Sequence, residues 1–496
     1  MNFKKRTVAV ATTLFTALVM PVCMAAQDTS QHHKHHQYKL IDLGTFGGPN
    51  SFVNGPTVPI IANNGTYAGE AETAIPDPYA PYCQNGDCLV QHAQKWQNGV
   101  VIDMGTLPGT DLSSGATWVS SDATIVGFSR NGLIDPLGIP EMHAVVWANE
   151  NKIVDLGTLP GGHQSFANAA NERKQIGGWS TNGIPDTFSM TGLGYQTRSV
   201  LWQDGAMRDI GTLGGPDALL AAMNETGQII GNSYTSSIPN PDSGVPTIDP
   251  FFWQDGVMVD IGSFGGTYGV PNVINSGGQV VGSSNLAGDQ TYHPFLWHRG
   301  SPIRDLGTLG GDNAEALWIN DTGEVVGDSD LTGSLTHDGF LWRNGVMTDL
   351  GNLGQSSKAF AINSQGQIVG HSEIDDGTFH AFLWEKGGPM VDLNDLVFPV
   401  SEFVVTDPYD INDNGEIAVT GFLPNGDEHA VLLVPDGECD DACEARLASS
   451  RNNAAPVLHP ATTKQGSETR VGPVTSFRNR LGRPYRVPAQ AAAPGN

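Results

Sequence analysis

One pattern governs the whole chain: a short strand ending in Asp, then an aliphatic residue or Met, then Gly. It recurs at Asp42, Asp103, Asp155, Asp209, Asp260, Asp305 and Asp349, with a degenerate copy at Asp392, at spacings that shrink from 61 to 43 residues. A period of this size is the mark of a repeat architecture, and it outranks any local reading of secondary structure. Between copies lie three further stretches in constant order. The segment from Ala314 to Gly351 shows them cleanly: Ala314–Asn320, Glu324–Ser329, Gly339–Trp342 and Val346–Gly351. Each is short, rich in β-branched or aromatic residues, and bounded by Gly or Asn, which predicts four antiparallel strands per repeat, here named a to d. The step Trp-x-Asn/Asp-Gly between c and d, as at Trp202–Gly205, predicts a tight hairpin because Gly supplies the positive φ that such a turn needs.

Strand c is apolar almost without interruption (Pro250–Trp253, Ala381–Trp384), as expected of a sheet covered on both faces by neighbouring sheets. Eight c strands are countable, near Trp96, Trp147, Trp202, Trp253, Trp297, Trp342, Trp384 and Leu432–Leu433. The chain enters the repeats on a lone d strand, Tyr38–Gly44, and leaves them on an a-b-c set, Tyr409–Val434, that has no d of its own. These fragments complete one unit, so the sequence predicts an all-β, eight-bladed β-propeller of four-stranded antiparallel blades, closed by pairing the N-terminal strand with the C-terminal three strands. A linear solenoid is the alternative, and it would leave two exposed sheet edges.

The copies His380-Ala-Phe-Leu-Trp384 and His143-Ala-Val-Val-Trp147, with the run Asp305–Gly311, resemble the probable extracellular repeat family named HAF after the His-Ala-Phe that opens strand c. The resemblance covers about Tyr38 to Pro435 and implies an exported repeat protein, without an assigned activity or catalytic residues. Arg198, Asp249 and Asp338 depart from it by replacing the His, and the eighth copy lacks the Trp.

The ends carry their own signals. Lys4-Lys-Arg6, an apolar run from Val8 to Val22 and the small pair Ala25-Ala26 have the order of a Sec-type signal peptide over residues 1–26, which predicts a periplasmic or secreted location. Residues 27–37 read as a His-rich leader in which His32, His33, His35 and His36 are weak metal-ligand candidates. The propeller is expected over 38–436 and a Cys-containing segment with a basic tail over 437–496. Cys83, Cys88, Cys439 and Cys443 are four cysteines in an exported chain, and two local disulfides are the default. The formal charge of −27 argues against nucleic acid, which needs a basic footprint, and favours a soluble monomer. No apolar run after the leader is long enough to span a membrane.

Turns a-b and c-d are tight. The b-c connections are long in the first four units, about Ala71–Gln91, Arg130–Met142, Thr181–Thr197 and Ser233–Ile248. Strand order places b-c and d-a connections at the same end, so that end is the expected ligand face. His92, His143, Arg198, Asp249, His293, Asp338, His380 and His429 open strand c there. Two readings stand: a fixed stitch within each blade, or a functional ring supplying ligand contacts, with Asp249, His293 and Asp338 as weak catalytic candidates. The repeated Asp of strand d reads as a turn cap. The Gly-rich connections lack the Lys-Ser/Thr of a phosphate loop, and no nucleophile elbow or His-Glu-x-x-His is present. No cofactor is expected. The function expected is an exported binding module for an envelope or extracellular ligand, carbohydrate or protein; the alternative is an extracytoplasmic carbohydrate hydrolase or lyase.

Overall fold

A computed structural model describes residues 35–148, 152–241, 243–333, 336–385 and 387–438. The expected signal peptide, His32, His33, Cys439, Cys443 and the basic tail lie outside the described residues. Among the described residues, thirty-two strands form six four-stranded sheets and one sheet of eight. Strands follow one another as antiparallel neighbours in the order a, b, c, d. Units one to seven span 47–103, 114–155, 165–209, 218–260, 265–305, 310–349 and 356–392. The eight-stranded sheet is units four and five joined through the parallel bridge Ile248–Tyr268, a departure from separate four-stranded blades.

The eighth unit takes its a, b and c strands from Val404–Ile411, Ile417–Phe422 and Glu428–Glu438, and its fourth strand from His36–Asp42 at the other end of the chain. Pairing runs from Tyr38 opposite Pro435 to Asp42 opposite Val431. This strand begins at His36, two residues before the expected Tyr38, and His35 is already buried with Nδ1 3.0 Å from the Glu385 carboxylate.

The Trp-x-Asp-Gly prediction holds at Asp204 and Gly205, both at positive φ (53° and 76°), as a type I′ hairpin requires. In strand b, the second Gly has a different reason. A Cβ on Gly178 would lie 2.0 Å from the Phe166 carbonyl oxygen, because a β-bulge between Ala167 and Ala169 presses strand a against it. Phe251, Phe295, Phe340 and Phe382 of strand c are fully buried, each contributing roughly 1.5–3 kcal/mol by leaving water.

Adjacent units are stitched through strand a. Asn171, Asn224, Asn275, Asn320 and Asn363 each donate through Nδ2 to the main-chain carbonyl of the next Asn in the series, ending on Asn412, at 3.0–3.2 Å. Asn412 donates to the Ala62 carbonyl at 3.0 Å, back in unit one. Units one and two are linked by the Val119 N–H to the Pro59 carbonyl, and two and three by Trp118 Nε1 to the Ala170 carbonyl. Buried Asp410 also accepts from the Ile60 and Ile61 amides at 2.8 and 3.1 Å. The ladder joins equivalent positions, so all units point the same way. The sequence reading missed it, although its signal was present: Asn recurs four residues before Gln or Glu at each of these turns.

Candidate ligand-binding face

All eight expected positions stand at the b-c end of strand c, and six of them pair with the Asp of strand d in their own sheet. His92, His143, His293, His380 and His429 place Nδ1 2.6–2.9 Å from Asp103, Asp155, Asp305, Asp392 and Asp42 respectively, and Arg198 Nε lies 2.9 Å from Asp209. The register explains it: strand c residue Val200 pairs with Asp209, so the residue two positions earlier meets the Asp diagonally. The same Asp caps its own turn. In all eight copies its carboxylate accepts the N–H two residues on, at 2.7–2.9 Å. Six of the eight positions are thus a clip between strands c and d, fixed by a capped carboxylate.

Electrostatics follow from that geometry. Burial alone would raise Asp42, Asp103, Asp155 and Asp305; hydrogen bonds from the His and from the Gly N–H overcome it and hold each below the ordinary carboxylate value. The bond to Asp42 raises His429, while burial opposes and Asp392 outweighs it at His380, which is also raised.

The other two clips are inverted. Asp249 and Asp338 occupy the cation's position, facing Asp260 and Asp349. Asp249 is pushed up to about 6 by burial and by the negative charge of Asp260, and its Oδ1 has no hydrogen-bond partner. Burial also raises Asp338, and Asp349 adds to this, while Asn352 Nδ2 donates to both carboxylate oxygens at 2.9 and 3.2 Å. His293, the third catalytic candidate, is an ordinary clip.

The b-c connections correct the sequence reading most. Strands b and c extend well into what looked like loop: Tyr67–Pro76 with Leu89–Gln97, Ile125–Ile134 with Pro140–Trp147, and Ile176–Pro185 with Tyr195–Gln203. True connections shrink to 77–88, 135–139 and 186–194. The unit-four connection, 235–247, stays long. These four elements pack together in a second core. Phe128 stacks on Phe166 at 5.2 Å, Phe166 on Trp179 at 5.8 Å, and Met142, Met190, Leu193 and Tyr234 fill around them.

Buried polar anchors hold this layer. Arg130, 1% exposed, grips both carboxylate oxygens of Asp77 at 2.6 and 2.7 Å, donates to the Tyr82 carbonyl and stacks on Tyr79. Asp217 of unit four accepts the Met190 and Thr197 amides of unit three at 2.6 and 2.9 Å, and burial pushes it up to about 7. Glu72, bonded to Asn50, is likewise raised to about 7, by burial and by Asp87. A Cys83–Cys88 disulfide closes the unit-one connection, as the sequence suggested. Apolar side chains nevertheless remain outside: Ile75, Leu133, Ile134, Leu137, Ile184 and Ile238 are 42–74% exposed along this rim.

At the opposite end, a polar groove of about 530 Å³ lies between units three and four, lined by Arg173, Arg208, Gln203 and Trp253 among others. No group of three or more His, Cys, Asp or Glu able to hold a metal occurs among the described residues, and no described helix is long and apolar enough to cross a membrane.

No family model and no curated protein matches the chain. Among solved structures it is similar to the β-propeller domain of the Trilobed protease from Pyrococcus furiosus, at 10% identity over 73% of this chain and 100% of that one, with a TM-score of 0.39. Dipeptidyl peptidase 4 of Porphyromonas gingivalis is similar at 9% identity over 68% and 54%, with a TM-score of 0.43. Trypanosoma rangeli sialidase is similar at 7% identity over 84% and 60%, with a TM-score of 0.35.

Proposed function

We propose that the chain is an exported, monomeric binding module: a closed eight-bladed β-propeller of HAF-type repeats that presents its b-c end to an extracellular or envelope ligand. Support for the closed ring comes from the strand His36–Asp42 completing the last unit and from hydrogen bonds that pass from each strand a to the next and return to Ala62. One observation carries the function. The b-c hairpins and loops of units one to four are backed by a buried layer and still expose apolar side chains at its rim, the arrangement of a preorganised recognition surface. Export accords with the leader sequence and the Cys83–Cys88 disulfide.

The full mature chain, immobilised and exposed to purified polysaccharides and envelope extracts, retains a component without generating new reducing ends or unsaturated products. Failure to retain any component would sink the reading. A second reading, carbohydrate hydrolysis or lysis, has one observation in its favour: Asp249, half-buried with an unpartnered oxygen and raised to about 6 beside Asp260, is poised as an acid-base group near neutral pH. That reading requires turnover, and requires Asp249→Asn to abolish it.

A further inference from the structure

Positive charge is segregated along the strand axis. None of the b-c or d-a connections in any unit contains a Lys or Arg, whereas the opposite turns carry Lys152, Arg173, Lys174 and Arg299. Carboxylates are plentiful at the cation-free end: Asp87, Asp111, Asp312, Asp375, Asp376 and Glu402 are exposed there. Arg198 is held by Asp209 and Arg130 is buried on Asp77. That end therefore combines an apolar rim with an excess of carboxylates over Lys and Arg, which disfavours anionic polymers and favours a cationic partner with apolar anchors.

The chain itself contains such a segment. Arg470–Val487 has Arg470, Arg478, Arg480, Arg483 and Arg486, no acid, and Val471, Val474, Phe477, Leu481, Tyr485 and Val487 interleaved. We propose that this segment docks in cis on the b-c end and occupies the ligand face until a tighter ligand displaces it. The inference rests on the proposed ligand face and deepens it, by naming a basic, apolar-anchored peptide as the chemistry that face takes. Reach is sufficient. Strand c of unit eight ends at Glu438 at the opposite end, and the 32 residues from there to Arg470 extend to at most about 110 Å, against about 36 Å for an eleven-residue strand. Tethering keeps the segment at an effective concentration on the order of millimolar.

Trypsin provides the test, with cleavage after Arg478 and Arg480 followed by mass spectrometry in the full mature chain and in a synthetic 470–487 peptide. The proposal expects cleavage in the chain roughly ten times slower than in the free peptide at low salt, with the difference lost in 0.5 M NaCl, where screening acts within a few ångströms. Leu133→Ser with Ile184→Ser, both at exposed positions, raises the rate several-fold, and Val346→Ser at the opposite end does not. Equal rates for chain and peptide at both salt concentrations overturn it. Protection that fades on dilution overturns the cis form, with a second copy as the occupant. If protection is absent while an envelope component is still retained, the ligand face stands and only its occupation by this segment falls.

Discussion

Units one to four and units five to eight share the same strand order, the Asn ladder runs through units three to eight, and the largest difference between the halves lies in one connection. In units five to eight, strand b passes to strand c through five residues, as at 287–291 or 423–427, and units five, seven and eight carry the clip between strands c and d at that end. In units one to four the same passage is a long hairpin or loop, backed by its own aromatic core and anchored by Arg130, Asp217 and Glu72. In a repeat scaffold each unit packs on its neighbours, and the connection that varies between units is the one that the proposed binding role draws on.

Breaking that contrast should cost most at Arg130. Arg130→Ala strands a buried Asp77 and should destabilise by about 3–5 kcal/mol, whereas Arg343→Ala at the exposed end of strand c in unit six should change stability by less than about 1 kcal/mol; denaturant unfolding of both variants checks the ratio. Trp179→Ala removes the end of the aromatic stack and should cost a comparable 3–5 kcal/mol. Next comes the ladder common to both halves. Asn275→Ala leaves the Gln279 amide and the Asn320 carbonyl without that partner and should cost about 1–3 kcal/mol, and Asn363→Ala should cost about the same.

Stability should also fall as pH rises from about 4 to 8. Glu72, Asp217 and Asp410 near 7 and Asp249 near 6 all bind protons in the folded state at pH values where the unfolded chain has released them, so ionisation favours unfolding. His380 and His429, raised when folded, contribute stability that is present below their unfolded value and lost as pH passes their folded one, in the same direction. Melting temperatures should be higher at pH 5.5 than at pH 8, and Glu72→Gln should flatten the difference. The smallest effect is a gain: Asp249→His builds a seventh clip and should stabilise by about 0.2–1 kcal/mol, with His293→Asp losing a similar amount.

Much of the scaffold was legible because its rules are local. Asp-x-Gly and Trp-x-Asp-Gly dictate capped turns and two-residue hairpins whatever surrounds them, and the lone d strand at Tyr38 could be matched to an incomplete last unit by counting. The hydrogen-bonded clip was one of two readings of the His positions, since a two-residue hairpin sets the c-d register and hence the diagonal between Arg198 and Asp209. Strand ends in the first half were not legible: polar residues such as Asn131 and Asn182 lie in strands that project past the sheet body. The Arg130–Asp77 pair was hidden as well, since it joins residues 53 apart in different units. The Asn ladder was overlooked although its spacing was regular, because its meaning depends on the neighbouring unit.

Retention by paired surface variants tests the central claim most directly. On whichever polysaccharide or envelope fraction retains the mature chain, Leu133→Ser with Ile184→Ser should reduce retention at least tenfold while Val257→Ser with Val346→Ser leaves it unchanged. Equal losses for both pairs, or retention unaffected by the first pair, would contradict the assignment of binding to the b-c end.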